Sequence, residues 1–410
     1  MNSLSFVLPP RNTLFNLSLS TGLSLLASYV SSDIQSTITA EKLVFSYRPS
    51  DNELYVAIKE LVNELTRGSY GLSPPLGPDF ARLSNLRAYL SKVVGADVRL
   101  RAEDLLKAYA EYARKLAGKG ALVDELERAL SEFRDGYPND AEICEVPMLT
   151  VLAPEFMEGI RMLGTIGFKS VSDRFSFSKM RIGLHSACLG IAGLWASLIA
   201  TTDNLEYFVF PYMSTLAGLK IRLGELRDAG KRLAQVLKGC VPRNIPSLAL
   251  AVALSTAGIQ APVRRTLLVV VQRGGRRVDL MEQGLPLSPD TILAFADGLY
   301  GSDEGAHRRL LNLIIEGLRE PPPGGTRDGQ RARKLHEVGL RVAQLIYLAL
   351  TQALRPEEAL YELARLLYAQ SDLALEEYAK KRGALLTPYD VECIALAMRK
   401  ALSRAPLYSH

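Results

Sequence analysis

The segment Arg264–Glu282 (RRTLLVVVQRGGRRVDLME) carries Arg264, Arg265, Arg273, Arg276 and Arg277, with no acid before Asp279. Its apolar, largely β-branched run, Leu267–Val271, leads toward Gly274-Gly275. Two glycines supply the positive φ that a two-residue hairpin turn demands, so a β-hairpin is expected over 264–282. With that turn Arg273 faces Arg276, and like charges opposed across a ladder repel. Such a tip is either fully solvated or occupied by an anion. The guanidinium fork binds phosphate and base edges through paired hydrogen bonds. The apolar stem would root the hairpin in the core and project the tip, so both nucleic-acid contact and a plain wet turn fit the pattern.

A second basic segment, Arg161–Arg181 (RMLGTIGFKSVSDRFSFSKMR), holds Lys169, Arg174, Lys179 and Arg181 against the single acid Asp173. Read as a strand, Phe175, Phe177, Lys179 and Arg181 share one face. Bases stack on aromatic rings while cations follow phosphates, which suits single-stranded nucleic acid. Alternatively the two phenylalanines enter the core and the cations snorkel outward. A third group, Lys220, Arg222, Arg227, Lys231, Arg232, Lys238 and Arg243, is set against Glu225 and Asp228. It fits a helix serving either backbone contact or solubility.

Other chemistry is sparse. The phosphate-cradling GxxxxGK[ST] pattern, GxGxxG, GxSxG and HExxH are absent. His185 and Cys188 are three apart on an apolar helix, but no second ligand pair accompanies them, and zinc wants four ligands or three plus water. A packed core histidine and small thiol are expected instead. His307-Arg308-Arg309 reads as a solvated helix face. Asp297, Asp303 and Glu304 could supply oxygen ligands to a cation, or mark a helix end followed by a new N-cap, which is the expectation. The four cysteines include no CxxC pair, which fits a reducing compartment.

The elements that position these residues follow from periodicity. Short strands are expected at Leu4–Leu8 and Thr39–Tyr47, and a helix over Asp51–Thr66 with Leu54, Ile58, Leu61, Val62 and Leu65 on one stripe. The Gly- and Pro-dense 68–79 is a loop, and helices follow at 80–94, 101–117 and 121–134. Tyr207–Tyr212 (YFVFPY) is a strand-like aromatic patch. Ser288-Pro289-Asp290 opens a helix, and Asp303–Arg319 is another, ending in the linker 320–330. Three helices near 331–354, 356–381 and 388–403 complete the chain.

The expected fold class is α+β and predominantly helical. Its expected parts are a mixed α/β N-terminal domain (1–140), an irregular basic middle with the hairpin (141–287) and a C-terminal helical bundle (288–410). The chain has 410 residues, 48% hydrophobic and 23% charged, with a net charge of +5. This is ordinary globular composition and excludes a disordered tail or a collagen-like fibre. Three stretches, 12–32, 182–202 and 244–263, lack charge. The second has the best membrane-spanning character, but buried core helices are expected for all three, and no membrane association. A helical membrane-associated protein, or an enzyme with dispersed catalytic residues around Asp297, Asp303 and His307, are the alternatives.

The order of parts resembles the large subunit of archaeal type I-A CRISPR interference complexes. The features that carry the likeness are the mixed α/β start, the basic middle with the YFVFPY patch and the RTLLVVVQRGGRRV hairpin, and the helical C-terminal region. The resemblance implies a non-catalytic cytoplasmic protein without a cofactor. Its partners would be guide RNA, target DNA and the other subunits of the complex, with cleavage left to those partners. It would help recognise the short motif flanking the target and support strand separation. The likeness is architectural and carries over no site residue.

Overall fold

A computed structural model describes residues 4–7, 14–30, 36–38, 42–45, 47–67, 74, 76, 79–130, 145–147, 149, 151–152, 181–202, 205–211, 223–224, 227–228, 230–232, 245–258, 266–274, 277–286, 290–320, 326–369 and 373–404. The protein is α+β and predominantly helical, as its sequence leads one to expect. It divides into two compact units. Unit 1 is Met1–Gly230 with Leu267–Leu285, and unit 2 is Lys231–Thr266 with Pro286–His410. The stretch 141–287, read above as a domain of its own, is therefore shared between them.

Unit 1 opens with β1 (Leu4–Val7), α1 (Leu14–Tyr29), β2 (Ser36–Ile38) and β3 (Lys42–Phe45). The strands form an antiparallel sheet in the order β1-β3-β2, with Leu4 and Ser36 both opposite Phe45. Leu4, Phe6, Leu43 and Phe45 alternate onto one buried face. Next come α2 (Asp51–Arg67), α3 (Phe80–Val94), α4 (Ala102–Ala117) and α5 (Leu122–Ala129). The expected α2 stripe of Leu54, Ile58, Leu61, Val62 and Leu65 is the face it buries. A reciprocal capping box starts this helix: Ser50 N donates to Glu53 (2.8 Å) and Glu53 N to Ser50 Oγ (3.2 Å). Asp51 in turn accepts from Val123 N at 2.7 Å, tying the start of α5 to that of α2.

β4 (Glu145–Pro147) pairs with β5 (Arg181–Gly183), which runs into α6 (Leu184–Ser197), β6 (Leu198–Thr202) and β7 (Leu205–Pro211). The uncharged 182–202 run is thus strand, helix and strand. Among the described residues no helix is long and apolar enough to cross a membrane. The two uncharged helices, α1 and α6, pack on each other instead. Both are buried almost all round, which is why neither shows an amphipathic period. Their backbones touch: a Cβ on Gly22 would lie 2.1 Å from the Leu189 carbonyl oxygen, and one on Gly193 1.9 Å from that of Ser18. The pairing of 22 with 189 and of 18 with 193 makes the crossing antiparallel. Buried serines are accommodated by bonding backward, Ser18 Oγ to Leu14 O (2.7 Å) and Ser24 Oγ to Ser20 O (2.6 Å).

Unit 2 begins with α7 (Ile245–Ser255). The chain then gives β8 (Thr266–Gly274) and β9 (Arg277–Pro286) to the sheet of unit 1, whose order is β6-β7-β8-β9. It returns to unit 2 as α8 (Asp290–Ser302), α9 (Glu304–Leu318), α10 (Arg327–Leu350), α11 (Pro356–Ala369), α12 (Leu373–Lys381) and α13 (Pro388–Arg404). The expected linker is shorter than read, because Thr326 caps α10 through Gly329 N (3.1 Å) and the helix takes over from Arg327. The single helix expected over 356–381 is two. A second glycine crossing joins α9 to α10, where a Cβ on Gly339 would meet Leu313 O at 2.3 Å and one on Gly317 would meet Leu340 N at 2.6 Å. Arg309 of α9 forks onto Asp390 of α13 at 2.9 and 2.6 Å, and Asp390 is fully buried.

Candidate nucleic-acid interface

The hairpin expected from the arginine-rich segment is present, and its strands extend slightly beyond the residues expected for the second arm. β8 ends at Gly274 and β9 starts at Arg277, with Gly275 and Arg276 the only residues of the sequence between them. Strands joined by so short a connection are antiparallel. The expected facing of Arg273 and Arg276 involves a residue outside the described ones. Arg273 and Arg277 lie on the two strands; Arg264, Arg265 and Arg276 fall outside the described residues.

The stem is rooted as its composition demands. Val269 and Val271 are each 2% exposed, and β8 adds to β7, whose Tyr207, Phe208, Val209 and Phe210 are buried. Phe208 and Phe210 stack at 6.2 Å between centroids. The aromatic patch is core, and it holds the base of the hairpin.

Of the second basic segment only Arg181 is described, at the start of β5 opposite Pro147. Lys169, Arg174, Phe175, Phe177 and Lys179 fall outside the described residues. In the third group the described residues of 223–232 are helical, and Arg227 donates to the Glu64 carbonyl at 2.5 Å. That guanidinium is partly engaged within unit 1.

The titratable residues that might have made a catalytic or metal centre have structural partners. His185 is fully buried. Its Nδ1 lies 2.9 Å from the Tyr109 hydroxyl and its Nε2 3.2 Å from Glu125 Oε1, so neither ring nitrogen is left for a metal. Tyr112 also donates to Glu125. Burial works to raise the Glu125 carboxyl, but hydrogen bonds from His185 and Tyr112 outweigh it and hold the group below its ordinary range. The phenols of Tyr109 and Tyr112 are pushed up, burial being the largest cause for each. This network joins α4, α5 and α6. Sequence reading missed it, although Glu125 stands between Leu122 and Leu126 on the inner stripe of α5 and could have been flagged there.

His307 departs from expectation. It is 8% exposed rather than on a solvated face, its Nε2 donates to Leu254 O at 2.9 Å, and its ring meets Tyr300 edge-on at 5.2 Å. Burial lowers its pKa. Arg308 alone of the three is on the water side, paired with Glu304. Asp303 is the N-cap of α9, accepting from Ala306 N at 2.5 Å, and Asp297 accepts from Gly258 N at 3.2 Å. Asp303 thus fulfils the capping expectation. Among the described residues no group of three or more His, Cys, Asp or Glu side chains is arranged to hold a metal.

Compared with known proteins, the chain matches no family model and no curated protein.

Proposed function

We propose that this protein is a non-catalytic, cytoplasmic nucleic-acid-binding subunit of a CRISPR guide-RNA interference complex, touching target DNA and its flanking motif through the β8–β9 hairpin. Guide RNA, target DNA and the other subunits are its partners in this reading. The observation that supports it best is the joining of an arginine-rich connection to a stem sunk in the core: in the sequence Arg273, Arg276 and Arg277 fall at or beside the two-residue break between β8 and β9, while Val269 and Val271 are buried. In such machines base pairing reads most of the target, and protein contributes backbone contacts and a short flanking readout. A rigid strand pair tipped with arginine suits either role.

The test replaces Arg273, Arg276 and Arg277 together by Ala. Binding of duplex and single-stranded DNA is then measured at two salt concentrations, with the chain alone and assembled with guide RNA. Each lost phosphate contact should flatten the slope of log K against log salt by about 0.9 on duplex. A weaker, less salt-dependent interaction with an unchanged thermal melt is expected. Unchanged affinity in both settings would remove the hairpin from the interface.

A further inference from the structure

The exposed helix faces of the protein differ sharply in how their charges are matched. On α4, Lys107 pairs with Glu103 at 2.5 Å and Arg114 with Glu111 at 2.8 Å, and cations and acids are equal in number. On the first two-thirds of α10, 327–341, five cations stand against Asp328 and Glu337. Arg331 is matched with Asp328 at 3.0 Å. Arg327, Arg333 and Arg341 are exposed and make no ion pair among the described residues. Exposed Lys334 lies on the same face but is engaged in an interaction of its own.

Helical geometry places these groups together. At roughly 100° per residue, 327, 334 and 341 fall within about 40° of one another, and 333 flanks them. Gln330 and Gln344, both exposed, fill the intervening positions with further amide donors. Glu337 is four residues from both Arg333 and Arg341, one carboxylate between two guanidiniums. The opposite side is sealed: Leu335, Gly339, Val342 and Ile346 are buried. Positions 327, 334 and 341 follow one another at about 10.5 Å along the axis. Arg327 also sits in the first turn, where the helix dipole disfavours a cation. An anion held there would relieve that conflict.

We propose that the outer face of α10, carried by Arg327, Arg333 and Arg341, is a second nucleic-acid surface that contacts the phosphate backbone without regard to sequence. It lies in unit 2, on an element separate from the hairpin, and it extends the nucleic-acid reading above and rests on it. Its contacts are to phosphate rather than base edges, since the cations lie along a helix side and not at a narrow projecting tip.

The experiment uses the full chain, assembled with guide RNA, and labelled mixed-sequence duplex and single-stranded DNA. Three variants are compared with the parent: Arg327→Ala with Arg333→Ala and Arg341→Ala, Glu337→Gln, and the hairpin triple. The α10 triple should bind both DNAs more weakly, equally for unrelated sequences, with a duplex salt slope shallower by about two to three. Glu337→Gln removes the only acid on that face, requires no loss of structure, and should tighten binding. An α10 triple with the parent's affinity and slope overturns the proposal, as does Glu337→Gln without effect. If the hairpin triple loses binding while both α10 variants do not, the function above stands and this surface does not. If neither triple has an effect, both readings fall. Loss of binding to anionic phospholipid vesicles, with DNA binding intact, reassigns the face to a membrane surface and also overturns the proposal.

Discussion

The buried Arg309–Asp390 pair is a residue-scale feature with a defined dependence on pH. Burial alone would raise the Asp390 carboxyl, but the Arg309 fork and the Thr387 N–H and hydroxyl hold it below its ordinary value. A depressed folded-state pKa means the unfolded chain takes up the proton first. The stability contributed by Asp390 is therefore complete above the unfolded carboxylate value of about 3.9 and is lost as pH falls through the lower folded value. Asp390→Asn should cost near the low end of the roughly 3–5 kcal/mol seen when a buried pair loses one partner, because Arg309 keeps 35% of its side chain in water. Its unfolding midpoint in urea should also change less between neutral and acid pH than the parent's. A parent-like midpoint at neutral pH would remove Asp390 from the stability of unit 2. Asp303 was legible as a cap because an acid just before a helix has one good use there. His307 was not, since the cations beside it suggest water while helical rotation turns it inward and Arg308 outward. Arg309 was misplaced for the same reason, its partner lying 81 residues away.

At the scale of elements, the glycine crossings decide whether helices can meet. The Leu189 and Ser18 carbonyls already occupy the places a methyl would take at Gly22 and Gly193. Gly22→Ala or Gly193→Ala must force α1 and α6 apart, and overpacking of this kind costs about 1–3 kcal/mol or more. A lowered melting temperature for each, and a smaller drop when Ala replaces the exposed and uncrowded Gly301, is the expected series. Amphipathic helices were readable in the sequence: α2, α4 and α10 display an apolar stripe of the right period. The buried ones were not. In 12–32 and 182–202 every side of the helix is inside, so no period distinguishes core from membrane, and no charged residue, glycine or proline marks where α6 ends and β6 begins at Leu198. The hairpin was legible from its glycines and β-branched stem.

For the whole molecule, the central fact is that neither unit is a continuous stretch of chain. β8 and β9 belong to the sheet of unit 1 although the residues before and after them belong to unit 2. Amide protection in β8 should therefore follow the stability of unit 1. Hydrogen exchange read by mass spectrometry should show faster exchange in β7 and β8 for Gly22→Ala and little change there for Gly339→Ala. The reverse pattern would assign the hairpin to unit 2. A reading that moves along the chain divides it into consecutive blocks, and so it took the middle for a domain; strand order is a property of space that local periodicity does not carry. The same arrangement bears on how the protein is made. Synthesis delivers residues 231–266 before 267–285, so β6 and β7 leave the ribosome as a bare pair. The open edge of β7 must wait for its neighbour while part of the other unit is already outside the exit tunnel, with Phe208 and Phe210 on one face of the same strand. An unpaired apolar edge with a distant partner is slow to close and prone to pair wrongly. Chains interrupted between 211 and 266 would carry that edge permanently, which makes this interval the one where a stalled or truncated product is most exposed to aggregation.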